Sequence, residues 1–361
     1  MDHVQVELGD RSYPIYIGGD ILGRVGELLK KNGITGRVMV FTNPTVGSMY
    51  LEDVLEGFHG EGYGVSSRVV PDGEEYKTLE YANTLYDSLM DNRIDRSSTI
   101  VALGGGVLGD LAGFVAATFK RGIPFVQVPT TLLAQVDASV GGKVAVDHPR
   151  GKNMIGSFYQ PRCVIISLSV LDTLPEREMR AGLAEVIKYG VIKDASLFEY
   201  IETHLDSLLN LEANGLHTVV KRSCEIKASI VTKDERDEGQ RALLNFGHTI
   251  GHAIETATNY SRYRHGEAVA LGMICATDIG VRLNVTSVKT SERLSNLIER
   301  AHLPTRIRNV SADAVIEFLR HDKKVRDGKV RFVLPREIGQ VMITDTVPDD
   351  VIRKTLKERS L

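Results

Sequence analysis

One stretch gathers most of the chain's reactive side chains: Arg241-Ala-Leu-Leu-Asn-Phe-Gly-His-Thr-Ile-Gly-His-Ala-Ile-Glu255, with Arg264-His-Gly-Glu267 just beyond it. Three of the ten histidines, His248, His252 and His265, fall here. His248 and His252 are four residues apart, so on a helix they share one face, and Glu255 lies on that face too. Imidazoles at this spacing can hold a divalent metal or pass protons. There is no HExxH motif. Spacing alone names His248 and His252 as paired ligands and leaves His265, in a glycine-bearing loop, as a third donor. Ile250, Ala253, Ile254 and Ala257 are left to pack. Glu185, taken by itself, reads as a solvated carboxylate three residues before Lys188 on a helix.

A second stretch could hold an anion. The apolar run Thr99-Ile-Val-Ala-Leu103 enters Gly104-Gly-Gly-Val-Leu-Gly-Asp110 and then a helical segment, 111–119. A glycine-rich turn between strand and helix lets a pyrophosphate approach the backbone at a helix N-terminus. The pattern matches the dinucleotide GxGxxG loosely, and it is no Walker A loop because no Gly-Lys-Ser/Thr follows. The same glycines would serve a plain tight turn, so the loop alone leaves both readings open. Pro129-Thr130-Thr131 places two hydroxyls at the end of the next strand, where open α/β sheets hold ligands. Arg121, Lys143, Lys152 and Asn153 lie in loops around it. Solvated lysines would look the same, but an anionic ligand explains local positive charge in a slightly acidic chain.

The elements that position these residues divide the chain. Segments 4–8 and 13–17 alternate and read as an antiparallel hairpin at a sheet edge. Strands at 37–43, 64–70, 99–103, 123–128 and 163–168 alternate with helices at 21–32, 51–60, 79–92 and 111–119. That order predicts a Rossmann-like α/β domain with a parallel sheet over residues 1–173. From Pro175 on, the period is helical, with helices at 176–193, 197–209, 216–232, 245–258 and 268–283. This predicts an all-α domain over 174–361 and an active site in a cleft between the two domains.

Composition narrows the function. The chain has 361 residues, 42% hydrophobic and 25% charged, with a formal net charge of −3. This is ordinary globular composition for two domains, without the basic excess of a nucleic-acid binder or a polybasic membrane protein. No apolar run approaches the ~18 residues of a membrane helix, and the first residues lack signal-peptide regions. Cys163, Cys224 and Cys275 are odd in number and far apart. They read as buried thiols of a cytoplasmic protein.

The assembled motifs resemble the 3-dehydroquinate synthase branch of the sugar-phosphate cyclases, essentially end to end. The resemblance is carried by Asp72-Gly-Glu-Glu-Tyr-Lys77, Gly104–Asp110, Lys120-Arg-Gly122, Pro129–Asp137, Gly141-Gly-Lys143 and Gly151–Gly156. It continues through Gly182-Leu-Ala-Glu-Val-Ile-Lys-Tyr-Gly190, Asp234-Glu-Arg236, Arg241–His252, His265-Gly-Glu267 and Asp322-Lys-Lys324. It implies a divalent metal, zinc or cobalt, on Glu185, His248 and His265, which makes His252 a proton-transfer group. It implies NAD along Asp72, Gly73, Glu74, Glu75, Tyr76 and Lys77, then Gly105, Gly106, Val107, Leu108, Gly109 and Asp110. Thr130, Thr131, Lys143, Lys152 and the loop Val170, Leu171, Asp172, Thr173 complete that set. Substrate contacts would come from Arg121, Asp137, Lys143, Asn153, Lys188, Lys227, Arg241, Asn245, His252 and one of Lys323 or Lys324, with Lys324 entered in the set.

The resemblance further implies a lyase of the shikimate pathway to chorismate and the aromatic amino acids, and a homodimer. The substrate would be a phosphorylated sugar acid, 3-deoxy-D-arabino-heptulosonate 7-phosphate. Its conversion to 3-dehydroquinate and phosphate runs through oxidation, phosphate elimination, reduction, ring opening and an intramolecular aldol step. Asp237 stands where the family often has Glu, with Glu238 adjacent; neither is given a firm role. Two rival enzymes share much of the pattern. Another sugar-phosphate cyclase, such as 2-deoxy-scyllo-inosose synthase, would need no carboxylate clamp. A metal-dependent polyol dehydrogenase would consume NAD stoichiometrically. A non-catalytic relative would be expected to lack some of Glu185, His248 and His265, and all are present.

Overall fold

The computed structural model describes residues 1–321 and 330–361. The chain folds into two compact units, Met1–Leu174 with Leu216–Thr232, and Pro175–Gly215 with Lys233–Leu361. One later helix thus belongs with the first unit.

The first unit begins with β1 (Asp2–Val6) and β2 (Tyr13–Gly18), an antiparallel hairpin in which Val4 faces Ile15. The alternating elements follow as α1 (Val25–Lys31), β3 (Val38–Thr42), α2 (Pro44–His59), β4 (Val65–Val69), α3 (Leu79–Asp91), β5 (Thr99–Gly104), α4 (Gly106–Thr118) and β6 (Phe125–Pro129). Then come β7 (Lys143–His148), β8 (Gly151–Phe158) and β9 (Cys163–Ser167). The main sheet has the order β1-β2-β9-β6-β5-β3-β4. Every pairing but β1–β2 is parallel.

Side chains alternate across this sheet. Val38, Val40, Val101 and Leu103 pack with Leu28, Val54 and Phe58 of α1 and α2 on one face. Met39, Phe41, Ile100 and Ala102 pack with Leu85, Leu111 and Val115 of α3 and α4 on the other. β3 leads outward to β4, whereas β5 leads the other way to β6. The adjacent carboxyl ends of β3 and β5 therefore form a topological switch point, where open α/β sheets bind ligands.

Two local expectations need correction. Gly106 through Asp110 are not a loop: α4 starts at Gly106, so the glycine turn is short and Asp110 lies within the helix. Segments expected to be loops around Lys143 and Lys152 form the antiparallel hairpin β7–β8. This hairpin packs on α4 through Val144 and Val146. That cover explains why α4 is apolar almost all round. The switch-point helix α2 also starts earlier than its apolar pattern suggests. Pro44 sits in its first turn, and the Asn43 side chain accepts a hydrogen bond from the Val46 amide at 2.8 Å.

α7 (Ala213–Lys233) provides the last part of the first unit. Its Lys221 is paired with Asp2 at 2.8 Å, and Glu7 of the same unit donates its amide to Thr232.

The second unit holds α5 (Glu176–Lys193), α6 (Ala195–Leu209), α8 (His248–Ala257), α9 (His265–Arg282), α10 (Val288–Arg300), α11 (Ala312–His321) and α12 (Asp349–Arg359). Among the described residues its one sheet is an antiparallel hairpin, β10 (Phe332–Glu337) with β11 (Gln340–Thr344), which the helical reading does not include. α9 is buried nearly all round and contacts α5, α8, α10 and α12. Its N-terminus carries His265. No helix among the described residues is long and apolar enough to cross a membrane.

Candidate active site

Glycine and hydroxyl groups gather at the switch point of the first unit. β5 ends at Gly104, and Gly105 turns the chain into α4 with no side chain capping the helix. A Cβ at Gly105 would stand 3.3 Å from the Thr131 methyl, and one at Gly106 would stand 3.1 Å from the Ala138 Cβ. A helix start with no capping side chain, entered through half-buried glycines, suits a pyrophosphate. Beside β3, Thr45 donates to the Asp72 carboxylate at 2.7 Å. The Tyr50 and Thr173 hydroxyls meet at 2.5 Å, which ties α2 to the 168–173 turn. These residues fit NAD by the chemistry of the cradle: amides for phosphates, and Asp72 with hydroxyls for a ribose.

A polar network lies next to this cradle. Lys77 is nearly fully buried and donates to Asp110 Oδ2 at 2.6 Å and to Asn153 Oδ1 at 2.5 Å, with Glu74 at 3.9 Å. Burial alone would lower the Lys77 pKa, but the charges of Asp110 and Glu74 raise it, so the amine stays protonated. Burial pushes the Asp110 carboxyl upward against that attraction. Lys152 pairs with Glu74 at 3.2 Å, and Asp147 accepts the Asn153 amide at 2.7 Å. Asn153 itself has a left-handed backbone (φ 54°) on the exposed strand β8.

Asp137 and Lys227 form a separate pair in the same unit. Lys227 of α7 donates to Asp137 Oδ1 at 2.6 Å and to the Asp137 carbonyl at 2.5 Å. Asp137 lies in a short π-helical turn, 134–138. Arg121 is exposed, with a left-handed backbone (φ 68°), and Lys143 is exposed at the start of β7.

The second unit collects the histidines. One ring nitrogen from each of His248, His252 and His265 lies within 4.8 Å of the other two. Glu185 belongs to this cluster as well. It is fully buried on α5, contrary to the solvated carboxylate its helix pattern suggests. Its Oε1 lies 3.6 Å from His248 Nε2 and 3.8 Å from His265 Nε2. Neither Glu185 oxygen accepts a hydrogen bond from the described residues, although the Lys188 ammonium lies beside Oε2. Donors bound at about 2.0–2.1 Å to one tetrahedral ion lie roughly 3.3 Å apart, close to the spacing seen here. Oε1, the oxygen turned away from Lys188, is buried without a donor, which is costly, so the donor set fits a divalent metal. Both the i, i+4 pair and the Glu185-containing set are spatially assembled.

Backbone details place these groups. Gly247 takes a left-handed conformation (φ 80°) just before α8, which stops Asn245 and Phe246 from joining the helix as expected. His265 is the first residue of α9, not part of a preceding loop. Gly266 follows because a Cβ there would come within 1.9 Å of the Ala181 carbonyl on α5. Glu267 closes the helix start: it accepts the Arg264 amide at 2.8 Å and a forked pair of bonds from Arg177. Burial acts to raise the Glu267 pKa, but these donors hold it below the ordinary range.

Arg241 and Asn245 lie on a 3-10 turn, 240–245. Arg241 is almost fully buried, and its Nη1 donates to the Glu235 carbonyl at 2.5 Å. Asp234, to which the sequence reading gives no role, accepts the amides of Glu238, Gly239 and Arg241 at 2.9, 2.7 and 2.8 Å. Partial burial acts to raise the Asp234 pKa, but these amides lower it. Glu255, whose face alone attracts notice in the sequence, accepts from His265 Nδ1. Lys323 and Lys324 lie outside the described residues.

A glycine-rich cradle that fits a dinucleotide and a carboxylate–imidazole set that fits a metal, on this fold, are the marks of a class that includes solved sugar cyclases. The chain is similar, with a TM-score of 0.91 and 28% identity over 99% of its length and all of the other, to a 2-deoxy-scyllo-inosose synthase solved with carbaglucose-6-phosphate, NAD+ and Co2+. It is similar, with a TM-score of 0.90 and 27% identity over 98% of each chain, to 2-epi-5-epi-valiolone synthase from Streptomyces hygroscopicus, solved with NAD+ and Zn2+. A glycerol dehydrogenase from Schizosaccharomyces pombe (TM-score 0.67, 17% identity, 95% of this chain and 88% of that one) shares the fold alone.

Residues 67–181 match the model described as 3-dehydroquinate synthase N-terminal, and residues 182–325 match 3-dehydroquinate synthase C-terminal. A 3-dehydroquinate synthase from Desulforamulus reducens is 50% identical over 99% of this chain and 100% of its own. One from a Picosynechococcus species is 49% identical over 98% and 97%. The chain belongs to the 3-dehydroquinate synthase family.

Proposed function

We propose that this chain is an NAD- and divalent-metal-dependent carbon–oxygen lyase that converts 3-deoxy-D-arabino-heptulosonate 7-phosphate to 3-dehydroquinate and phosphate, in the shikimate pathway. The observation that carries this reading is the full-length similarity, at 50% identity, to a protein of that name. The assembled carboxylate and imidazoles and the glycine cradle support it.

Glu185, His248 and His265 hold the metal, zinc or cobalt. Gly105, Gly106, Asp72 and the hydroxyls of Thr130, Thr131 and Thr173 receive the dinucleotide. When bound, NAD supplies a hydride acceptor and donor, and the metal supplies a Lewis acid for a substrate oxygen. The rest is orientation and proton handling by the protein. Lys188, Arg241 and Lys227, all almost fully buried, bring fixed positive charge to a substrate carrying a carboxylate and a phosphate. Arg121, Lys143 and one of Lys323 or Lys324 add exchangeable cations. Asn153 and Asn245 offer amides for hydroxyls. The pair with Lys227 holds the Asp137 carboxylate in place. The His252 imidazole takes and returns the proton of the reacting hydroxyl.

We place the enzyme in the cytoplasm as a homodimer. Its three unpaired, buried cysteines suit a reducing compartment, and size-exclusion chromatography with light scattering tests the dimer. Product analysis tests the activity. The enzyme is expected to turn over the heptulosonate phosphate and leave glucose 6-phosphate untouched. Turnover of glucose 6-phosphate alone would overturn the proposal in favour of another cyclase.

A further inference from the structure

We propose that Glu255 is the positioning carboxylate of the metal centre: it holds His265 through Nδ1 so that Nε2 is presented as a ligand. The inference rests on the ligand set proposed above. Glu255 stands on α8, two turns beyond His248 and on the same face, and is buried, with 8% of its surface exposed. Its Oε1 and Oε2 lie 3.3 and 3.4 Å from His265 Nδ1. No other described residue donates to that carboxylate. His248 is anchored in the same sense, since its Nδ1 lies 3.1 Å from the Phe246 carbonyl. With both Nδ1 atoms acting as donors, the lone pair of each ring lies on Nε2. Those are the atoms 3.6 and 3.8 Å from Glu185 Oε1.

The two anchors are not equivalent. A carbonyl fixes a tautomer, whereas a carboxylate also raises the basicity of the imidazole and adds negative charge behind it. An ionised carboxylate out of water with a single donor is poorly compensated in isolation. A dication bound by the other nitrogen of the ring would supply that compensation. The geometry also explains the spacing His248…Glu255 within one helix: the same face supplies a ligand at one end and the support for a ligand on α9 at the other. A plain Glu255–His265 ion pair would share the distances. It would stabilise the fold without tuning the metal, and that difference can be measured.

The test uses the purified full-length apoenzyme, with Zn2+ affinity read by competition against a chromophoric chelator and ligand field read from the visible bands of Co2+-loaded protein. Glu255→Ala is expected to weaken Zn2+ binding by about 10–100-fold, the usual cost of losing an outer partner. Glu255→Gln, which keeps an acceptor oxygen and loses the charge, should fall between it and the unsubstituted protein. The Co2+ bands should shift in the same order. Unchanged Zn2+ affinity and Co2+ bands in a folded Glu255→Ala protein would overturn the inference. Should that variant fail to fold, the same null result in Glu255→Gln would do so. Glu185→Gln and His265→Ala run alongside. Full metal retention in both overturns the ligand set and this inference with it, whereas metal loss there with none in Glu255→Gln overturns this inference alone.

Discussion

Lys77 in the first unit and Lys188 in the second are both buried beside a carboxylate, yet their surroundings differ. Lys77 makes hydrogen bonds to Asp110 and Asn153 and lies near Glu74. Lys188 stands by Glu185, a fully buried carboxylate that accepts no hydrogen bond among the described residues and faces two imidazole Nε2 atoms. The first arrangement is electrically and geometrically complete, and its natural role is to hold the walls of the dinucleotide cradle. The second pairs Lys188 with Oε2 and turns Oε1, which accepts no hydrogen bond, toward two imidazole nitrogens, a grouping of ligand atoms that fits a metal. Charge counting cannot separate the two, but hydrogen-bond satisfaction can.

The largest expected effect lies in the second unit. Glu185→Gln keeps the side chain's size and removes its charge. It should cost more metal affinity than the roughly 100-fold upper range for an outer partner, together with nearly all activity, and it also leaves Lys188 buried beside a weaker partner. Metal analysis of the purified variant checks this; a metal-replete protein would break the contrast. The matching change in the first unit, Asp110→Asn, should act mainly on stability. It leaves Lys77 buried beside a weaker partner, and breaking a buried pair costs about 3–5 kcal/mol. Urea unfolding measures the loss, and an unchanged midpoint would mean that the network is not scaffolding. His252→Ala sharpens the second site further: metal retained with a lowered rate is expected, and metal loss equal to that of His248→Ala would favour the i, i+4 pair.

A smaller, pH-dependent effect belongs to Asp234. Its pKa is lowered on folding, so its contribution to stability is present above the unfolded value, about 3.9, and is lost as pH falls through the lower folded value. The stability gap between the unsubstituted protein and Asp234→Asn should be full near neutrality and close in acid. A gap that widens in acid would contradict this sign. The smallest effect concerns the thiols. Burial pushes Cys163, Cys224 and Cys275 up to about 12, so a thiol reagent at mildly alkaline pH should label them only after unfolding.

Local pattern carries some of this structure and not the rest. The edge hairpin shows in the alternation of Val4, Val6, Ile15 and Ile17, and α5 runs over the residues its helical period marks. The start of α4 is hidden because glycines read as a turn, although close packing on Gln127 and Ala138 accounts for Gly109 and Gly106. His265 reads as a loop residue because Gly266 follows it, yet that glycine answers to the Ala181 carbonyl on another helix. The hairpin β7–β8 has too few apolar positions to stand out, and only its packing on α4 explains them. Nothing in the period of α7 says which unit it joins. Glu185 is the clearest case: on one helix it looks like a surface carboxylate, and only packing with α8 and α9 buries it. The family resemblance singled out Glu185 where its helix pattern did not, whereas the motif Asp234-Glu-Arg236 gave no hint that Asp234 anchors the Arg241 turn.

Phosphate release from 3-deoxy-D-arabino-heptulosonate 7-phosphate, with NAD only in trace excess over enzyme, tests the central claim most directly. Many turnovers, each releasing phosphate and 3-dehydroquinate with no net NADH, and arrest by a chelator that added Zn2+ or Co2+ reverses, are the predicted result. NADH accumulating in step with substrate loss, or a rate indifferent to the chelator, would contradict it.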